Sequence, residues 1–427
     1  MRKRLNSPLF TIIVVLTFIS GVACGRSDQH ADGSTQNSAS DPVKVGAKVL
    51  LENYLTELKK HKVGLVMNPT ARVDGVHMLD TLMALNVPVK ALFAPEHGFR
   101  GEAGAGETIK NGVDQATGLP VYSLYGKTRK PTPGMLKDVD LLLFDMQDVG
   151  ARFYTYNATL GLVLEAAAEN NIPVWVLDRP NPAGGDYVAG WVLKDKYKSF
   201  VGRYPIPIAH GLTLGEMANM MVGEGWLDTN KKPDLKVIKM ENWKRSMKWS
   251  DTGLDWFPPS PNLPRFENAF VYLGTCFFEG TSISEGRGTD NPFLKIGAPD
   301  THLDTSKVQN LAQKYHLDIQ LIDFTPKSMP GKSLHPKFED QMVHGVKISV
   351  PTNDYENLDP VQFGLDLLHL MVNATPDVKT NDHLYRLAGT DQIDRIVSGQ
   401  DVGDISKTWK TDVQLFREAR RPYLLYH

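Results

Sequence analysis

The sequence has little cysteine and no excess of charge of either sign. Only Cys24 and Cys276 occur among 427 residues, so a disulfide framework is excluded as the source of stability. The 47 Lys and Arg residues nearly balance the 49 Asp and Glu residues. We expect no nucleic-acid partner, because binding a polyphosphate relies on a concentrated positive field. The length and the 41% share of hydrophobic residues suit two or three domains with ordinary cores.

Motifs that carry cofactors, metals or nucleophiles are also missing. The glycine-rich segment from Gly98 to Gly106 has neither the spacing of a dinucleotide loop nor the Lys-Ser/Thr ending of a phosphate loop. No Gly-x-Ser-x-Gly elbow occurs. The twelve histidines form no His-x-His or His-Glu-x-x-His pattern. We therefore expect no cofactor and no metal site, which leaves paired carboxylates as the favoured catalytic groups.

The amino-terminal segment is typical of an exported protein. Three basic residues precede an apolar run over residues 9–23, which is shorter than a membrane span. Cys24 follows small residues, as in a bacterial lipoprotein processing site, although Gly21 stands where such sites usually carry Leu. We expect residues 1–23 to be a signal peptide and residues 24–42 to be a lipid-anchored flexible tether. The protein would then be an envelope lipoprotein, held to a membrane at Cys24 and facing the periplasm; an unmodified Cys24 is the alternative.

Between residues 43 and 255, short apolar runs alternate with amphipathic segments. Predicted strands are Val63–Met67, Val89–Phe93, Val121–Leu124, Val139–Phe144 and Val174–Leu177, and predicted helices are Leu50–Lys60, Met78–Leu85, Thr159–Asn170 and Leu214–Gly225. Thr213 and Glu216 have the spacing of a capping box for the last helix. The alternation favours an α/β domain with an open, mostly parallel sheet and helices on both faces.

The segment Trp256–Phe266 contains four prolines, which continue neither a helix nor an internal strand. We therefore place a domain boundary before residue 256. The pattern that follows is mixed: it predicts strands at Ala269–Phe278 and Gly345–Val350 and helices at Val361–Val372 and Val413–Arg420. Residues 256–427 are predicted to form a smaller α+β domain.

Polar side chains follow four of the five predicted strands, where ligands of an open parallel sheet bind. They are Asn68 after the first strand, Glu96 and His97 after the second, Asp145, Gln147 and Asp148 after the fourth, and Asp178, Arg179 and Asn181 after the fifth. Asp and Asn also occur at such positions simply as turn formers. Glu is a poor turn former, so Glu96 is the strongest candidate for a catalytic residue.

Paired carboxylates are the usual groups of glycoside hydrolysis. Glu96 follows an apolar run, which fits a proton donor. Candidates for the second carboxylate are Asp145, Asp148, Glu285 and Asp290. Candidates for holding an anionic substituent are Arg152, Arg179 and Arg287, each of which has salt-bridge formation as its alternative role. Phe153, Tyr154 and Tyr156 are candidates for packing on a sugar face.

Five ordered segments resemble the exo-acting β-N-acetylmuramidases of glycoside hydrolase family 171. They are Pro95–Gly101, Phe144–Arg152, Leu177–Pro182, Pro259–Asn262 and Glu279–Thr289. The resemblance covers nearly everything after the tether, and the segment around residues 300–340 diverges most. Arg100 and Asn262 lie in these segments and are added to the expected substrate-binding residues.

The resemblance implies a Rossmann-like domain joined to a carboxy-terminal domain, with the active site in the cleft between them. It implies release of N-acetylmuramic acid from the non-reducing ends of peptidoglycan glycan fragments, without metal or cofactor. The catalytic glutamate of the family corresponds to Glu96, and the lactyl carboxylate of the sugar gives an arginine a reason to be in the cleft.

Two other functions fit the residues alone. A lipid-anchored binding protein that captures a sugar without catalysis would also have two lobes and a tether. A hydrolase of another bond, such as an amidase acting on the peptide stem, would also use strand-end carboxylates. Each predicts a different product from muropeptides: none for the binding protein and free peptide for the amidase.

Overall fold

The computed structural model describes residues 41–101, 111–351, 355–400 and 407–427. The predicted signal peptide, the predicted lipid anchor at Cys24 and residues 25–40 of the predicted tether lie outside the described residues. Within the described part of the chain, no helix is long and apolar enough to cross a membrane.

Two main sheets organise the described residues. The strands are β1 (Val63–Met67), β2 (Arg72–Val73), β3 (Val76–His77), β4 (Val89–Ala94), β5 (Gly112–Val113), β6 (Pro120–Ser123), β7 (Leu141–Asp145), β8 (Val174–Leu177), β9 (Leu235–Ile238), β10 (Lys295–Ala298), β11 (Asp318–Phe324) and β12 (Val343–Ser349). The larger sheet has the order β5-β6-β4-β1-β7-β8-β9 and is parallel except for β5. The smaller one has the order β10-β12-β11 and is antiparallel, and β2 and β3 form a short hairpin.

Helices cover both faces of the larger sheet. The α-helices of the described part of the chain are α1 (Gly46–Asn53), α2 (Leu55–Leu58), α3 (Met78–Ala84), α4 (Pro133–Leu136), α5 (Tyr156–Asn170), α6 (Leu214–Gly223), α7 (Phe266–Thr275), α8 (Thr305–Tyr315), α9 (Pro360–Ala374), α10 (Asp382–Ala388), α11 (Asp394–Val397) and α12 (Lys407–Ala419). The predicted helix Leu50–Lys60 is wrong in its bounds, because Tyr54 interrupts it and separates α1 from α2. The capping box of α6 is confirmed, since Thr213 Oγ1 accepts a hydrogen bond from the Glu216 amide at 3.1 Å.

Alternating side chains of the central strand β1 divide the core into two layers. Leu65 and Met67 pack in one cluster with Leu50 of α1 and Leu79 of α3. Val66, which points to the other face, joins the larger cluster that includes α5 and α6. A strand buried on both faces reads as a continuous apolar run, which is why the sequence predicted β1 correctly. The mostly parallel α/β sheet is therefore confirmed.

The smaller sheet and α7 to α11 form a second, smaller α+β part, as predicted. The larger core cluster continues into it through α7 and α9, so the two parts of the fold share this cluster. No observation tests the predicted boundary before residue 256, which stays a prediction.

The predicted strand Ala269–Phe278 is wrong. The segment forms α7 and then a turn of 3₁₀ helix at Cys276–Gly280. Nine of the ten residues of α7 are buried. A helix that is buried on every side has no polar face, and its apolar run is indistinguishable from a buried strand by periodicity alone.

Candidate active site

A cavity of about 960 Å³ lies next to the carboxyl end of β4 and the amino end of α5. From the larger-sheet part it is lined by Glu96, His97, Tyr125, Arg129, Phe153, Tyr154, Thr155, Ser199, Phe200 and Val201, and from the later part of the chain by Ser260, Leu263, Tyr272, Glu279, Glu285, Arg287, Phe293, Lys332, Ser333, Leu334, His335, His383, Arg386 and Leu387. Both parts of the fold therefore contribute walls, as the family resemblance implied.

Glu96 is placed in the cavity by a sharp turn directly after β4. His97 and Gly98 both have positive φ, of 73° and 87°, and the Gly98 amide donates to the Pro95 carbonyl at 3.1 Å. A non-glycine residue in this region costs about 1 kcal/mol or more, and such strain is concentrated at functional sites. The turn leaves the half-buried Glu96 side chain facing the cavity.

Two hydroxyl groups hold the Glu96 carboxyl group. The Thr155 hydroxyl donates to Glu96 Oε2 at 2.9 Å. Thr155 is also the residue that precedes the first turn of α5, so the carboxyl group lies near the positive end of that helix. Burial raises the pKa of Tyr125, and the charge of Glu96 together with a hydrogen bond to it raises this pKa further. The Tyr125 phenol therefore stays protonated beside Glu96.

A second group of charges in the cavity comes from the segment after α7. Lys337 Nζ lies 2.9 Å from Glu285 Oε2, and Arg287 Nε lies 3.4 Å from Glu285 Oε1. Arg287 also donates to Glu279, and His383 Nε2 lies 3.5 Å from Glu279 Oε2. Burial raises the pKa of Glu279, but Arg287 and His383 outweigh it and bring this pKa down to about 2. Glu279 is therefore ionised at neutral pH.

Aromatic rings supply apolar walls between these polar groups. Phe153 packs edge-on against Tyr272, with ring centroids 5.3 Å apart, and Tyr272 packs edge-on against Phe293 at 4.7 Å. Tyr154 packs on Tyr156 at 4.8 Å. Rings of this kind suit the apolar face of a pyranose, while the carboxylates and cations bind its polar substituents.

The structure brings together six of the residues that the sequence singled out for this site: Glu96, His97, Phe153, Tyr154, Glu285 and Arg287 line the cavity. The other predicted site residues lie elsewhere. Asn262 lies just behind the cavity wall, where its amide donates to the carbonyl of the cavity residue Lys332 at 2.9 Å.

Asp145 and Asp148 do not line the cavity, contrary to their prediction as possible second carboxylates. Asp145 is fully buried and forms a two-pronged ion pair with Arg179, whose Nη2 lies 3.0 Å from Oδ2. Asp148 is also buried and accepts from the Gly150 amide at 2.8 Å. The neighbouring Gln147 donates its side-chain amide to the Pro180 carbonyl at 2.7 Å. These groups join strand-end loops to one another.

Arg152, a predicted substrate-binding residue, is bonded to backbone groups of the protein. Its guanidinium is fully buried and donates to the backbone carbonyls of Trp191, Ile206 and Leu387. Burial lowers its pKa to about 9. Because Leu387 belongs to α10, this side chain ties the strand-end loop of β7 to the carboxy-terminal part.

The remaining predicted residues are also held by neighbours outside the cavity. Asn68 donates to the Tyr156 hydroxyl, and Arg100 pairs with Asp80 and Asp114. Asp178 accepts hydrogen bonds from Thr213, Gly215 and Tyr426. Asn181 bonds the Leu212 carbonyl and the Ala183 amide, and the exposed Asp290 pairs with Lys295. For Asn181 and Asp178, the alternative of a structural strand-end role is the one that the structure shows.

Several residues of the cavity were missed by the sequence analysis, notably Tyr125, Arg129, Thr155, Glu279 and Arg386. Tyr125 comes shortly after β6, so the strand-end rule contained a signal for it. Glu279 begins the last of the five resembling segments. Arg129 belongs to a basic cluster with Lys127 and Lys130, which the sequence favours as a solvated loop, and no local pattern marks Thr155 or Arg386. Among the described residues, no group of His, Cys, Asp and Glu is arranged to hold a metal ion.

Comparison with known proteins gives concordant results. Residues 63–267 match the family model for the amino-terminal part of the exo-beta-N-acetylmuramidase NamZ, and residues 270–426 match the model for its carboxy-terminal part. The chain is 40% identical over 404 residues to the peptidoglycan beta-N-acetylmuramidase NamZ of Bacillus subtilis (strain 168), covering 92% of this chain and 94% of that protein.

Two solved structures from Bacteroides fragilis NCTC 9343, both of DUF1343 family proteins, have the same fold. One aligns with a TM-score of 0.79 and the other with 0.75; each is 35% identical, with 90% of this chain and 99% of the other covered. The sequence match extends over both parts of the fold and over both groups of cavity residues. This chain therefore belongs to the NamZ family of exo-β-N-acetylmuramidases.

Proposed function

We propose that this protein is an exo-acting glycoside hydrolase that releases N-acetylmuramic acid from the non-reducing ends of peptidoglycan glycan fragments. The observation that carries the proposal is that Glu96 shares one aromatic-walled cavity with Glu279, a carboxylate held in its ionised form. Two carboxyl groups with separate roles are what glycoside hydrolysis requires. The activity for which the Bacillus relative is named supports the choice of sugar.

Glu96 acts as the proton donor to the leaving oxygen. As the proton departs, negative charge develops on its carboxyl group, and the Thr155 hydroxyl and the amino end of α5 stabilise that charge. This stabilisation is stronger in the transition state than in the ground state, so it lowers the barrier. Tyr125 fixes the orientation of the carboxyl group from another side.

Glu279 acts as the second carboxylate. The transition state of glycoside hydrolysis carries positive charge at the anomeric carbon. An anion in the same cavity stabilises that charge without having to reorganise, because Arg287 and His383 already hold it in place. Glu285, which is 4% exposed, bonds Lys337 and Arg287 and so helps to hold Arg287 against Glu279.

The first experiment incubates the purified protein with defined muropeptides and identifies products by mass spectrometry. Free N-acetylmuramic acid is the expected product. Free peptide would support an amidase instead, and a bound sugar without any product would support a binding protein. Either result would overturn the proposal.

The second experiment measures a Glu96→Gln variant on a chromogenic muramic acid glycoside. We expect kcat to fall by about 10²–10⁴, the usual contribution of a general acid, with little change in KM. Glu52→Gln, a substitution of an exposed glutamate outside the cavity, is the matched control. Full activity in the Glu96 variant would remove this residue from the mechanism.

We also propose that the protein is exported and held to a membrane of the cell envelope through a lipid on Cys24. The support is the order of basic, apolar and small residues before Cys24 and the polar stretch after it. Mass spectrometry of the amino-terminal peptide should detect a mass increase on Cys24, and Cys24→Ala should move the protein out of the membrane fraction. An unmodified Cys24 in the membrane-bound protein would contradict this proposal.

A further inference from the structure

Among the described residues that line the cavity, the four Lys and Arg side chains outnumber the three glutamates. Arg287 is engaged by Glu279 and Glu285. Among the described residues, by contrast, no carboxylate lies within ion-pair distance of Arg129, Lys332 or Arg386, although all three line the cavity. These three side chains are exposed to solvent, and cations around a concave site attract an anionic group of a ligand.

Arg129 differs from the other two cations in being fixed by an aromatic ring. Its guanidinium carbon lies 4.3 Å from the centre of the Phe200 ring. Stacking holds the guanidinium plane while leaving the N–H groups at its edge free to donate. A planar fork of donors matches a carboxylate in a bidentate arrangement, which the point charge of Lys332 does not provide.

Arg129 also lies at the Glu96 end of the cavity. The Phe200 ring packs against Tyr125, with centroids 6.3 Å apart, and Tyr125 contacts Glu96. The charge of Arg129 lowers the pKa of Tyr125, against the raising effect of burial and of Glu96. Arg386 has no such link, and it also lines the neighbouring groove formed by Lys196, Tyr197 and Tyr385.

We propose that Arg129, stacked on Phe200, binds the lactyl carboxylate of N-acetylmuramic acid and so selects this sugar over uncharged amino sugars. The inference rests on the proposed function. Arg129 takes the role for which the sequence suggested three other arginines. Those three have partners within the protein: Arg152 is bonded to backbone carbonyls, Arg179 to Asp145, and Arg287 to two glutamates.

The test uses two chromogenic β-glycosides that differ in one group. One is the N-acetylmuramic acid glycoside, and the other is the same compound with its lactyl carboxylate converted to the methyl amide. The wild-type protein should prefer the acid. In Arg129→Met, kcat/KM for the acid should fall at least about tenfold, while kcat/KM for the amide stays within about twofold. Arg129→Lys should recover part of the preference.

Two matched variants complete the design. Lys127→Met removes an exposed cation from the same segment without touching the cavity, and it should leave the preference unchanged. Arg386→Met should change the preference less than Arg129→Met does. An unchanged preference in Arg129→Met, or its loss in Arg386→Met alone, would overturn the assignment.

The proposed function and this inference fail in distinguishable ways. Absence of release from both glycosides by the wild-type protein would contradict the proposed function. If the wild type releases product but Arg129→Met loses kcat/KM equally on both glycosides, only the carboxylate contact is contradicted. A merely structural role of Arg129 predicts an effect that does not depend on the substituent.

Discussion

Glu279 and Glu285 illustrate how neighbouring carboxylates acquire different environments. Glu285 is bonded by Lys337 and Arg287 and is almost completely buried. Glu279 keeps about a fifth of its side chain exposed to the cavity and bonds Arg287 and His383. The sequence indicates Glu285 as one of four unranked candidates for the second carboxylate, and Glu279, which has this role in the proposed mechanism, is not among them.

The first prediction separates these two glutamates. Glu279→Gln should lower kcat on the muramic acid glycoside by about 10² or more, because a neutral amide stabilises the developing cation poorly. Glu285→Gln should lower kcat by less than about tenfold and act mainly on stability. Steady-state kinetics of both variants, with thermal melts to verify folding, gives the comparison. The reverse order of effects would assign Glu285 as the second carboxylate.

Charged groups at strand ends have roles that the sequence alone does not identify. Asp145 and Arg179 stand 34 positions apart, and they bond each other outside the cavity. Carboxylates and guanidiniums at the carboxyl ends of parallel strands converge whether they bind a ligand or cross-link loops. Their position in the sequence identified the correct edge of the sheet, but it did not distinguish between these two roles.

At the scale of elements, α7 and α9 cross in close contact at two glycines. A Cβ atom added at Gly274 would overlap the Pro360 carbonyl oxygen and the backbone of Gly364. Close approach of two helix backbones requires residues without side chains at the crossing. These glycines therefore set the position of α7, and through the turn that follows α7 they set the position of Glu279.

The second prediction concerns this crossing. Gly274→Ala should lower the free energy of unfolding by about 2 kcal/mol, since overpacking at a tight contact forces backbone shifts. Gly134→Ala in α4, where an added methyl group meets only the Thr132 hydroxyl at 3.9 Å, is the control and should be neutral or slightly stabilising. Urea denaturation measures both. If Gly274→Ala and wild type have equal free energies of unfolding, α7 and α9 can move apart without a measurable loss of stability.

For the whole molecule, the ionised Glu279 links stability to pH. The pKa of this group is about 2 in the folded protein and about 4.3 in an unfolded chain. The unfolded state therefore binds more protons between these values, and the contribution of Glu279 is present above pH 4 to 5 and lost as the pH falls through about 2.

The third prediction follows from this linkage. The difference in unfolding free energy between wild type and Glu279→Gln should be on the order of a few kcal/mol larger at pH 6 than at pH 2.5. Denaturation curves at a series of pH values provide the measurement. Parallel pH profiles for the two proteins would mean that Arg287 and His383 do not hold Glu279 ionised in the fold.

The sequence by itself determined the elements whose signals are local. The buried runs of β1 and β8, the capping box at Thr213 and the position of Glu96 after β4 all depend on neighbours within a few residues, and each is found as predicted. The resemblance of five segments also identified the family. Periodicity, caps and motif letters are properties of the chain before it folds.

Only the tertiary structure decided which polar groups share the cavity. Glu96, Thr155 and Glu279 come from segments far apart in the chain, and no local pattern marks Arg129 or Arg386 as residues of the cavity. Likewise, α7 is buried by the rest of the fold on nearly every side, so its sequence suits a buried strand as well as a helix, and only the folded structure distinguishes the two. Burial and pairing arise from non-local contacts, which the order of residues along the chain does not display.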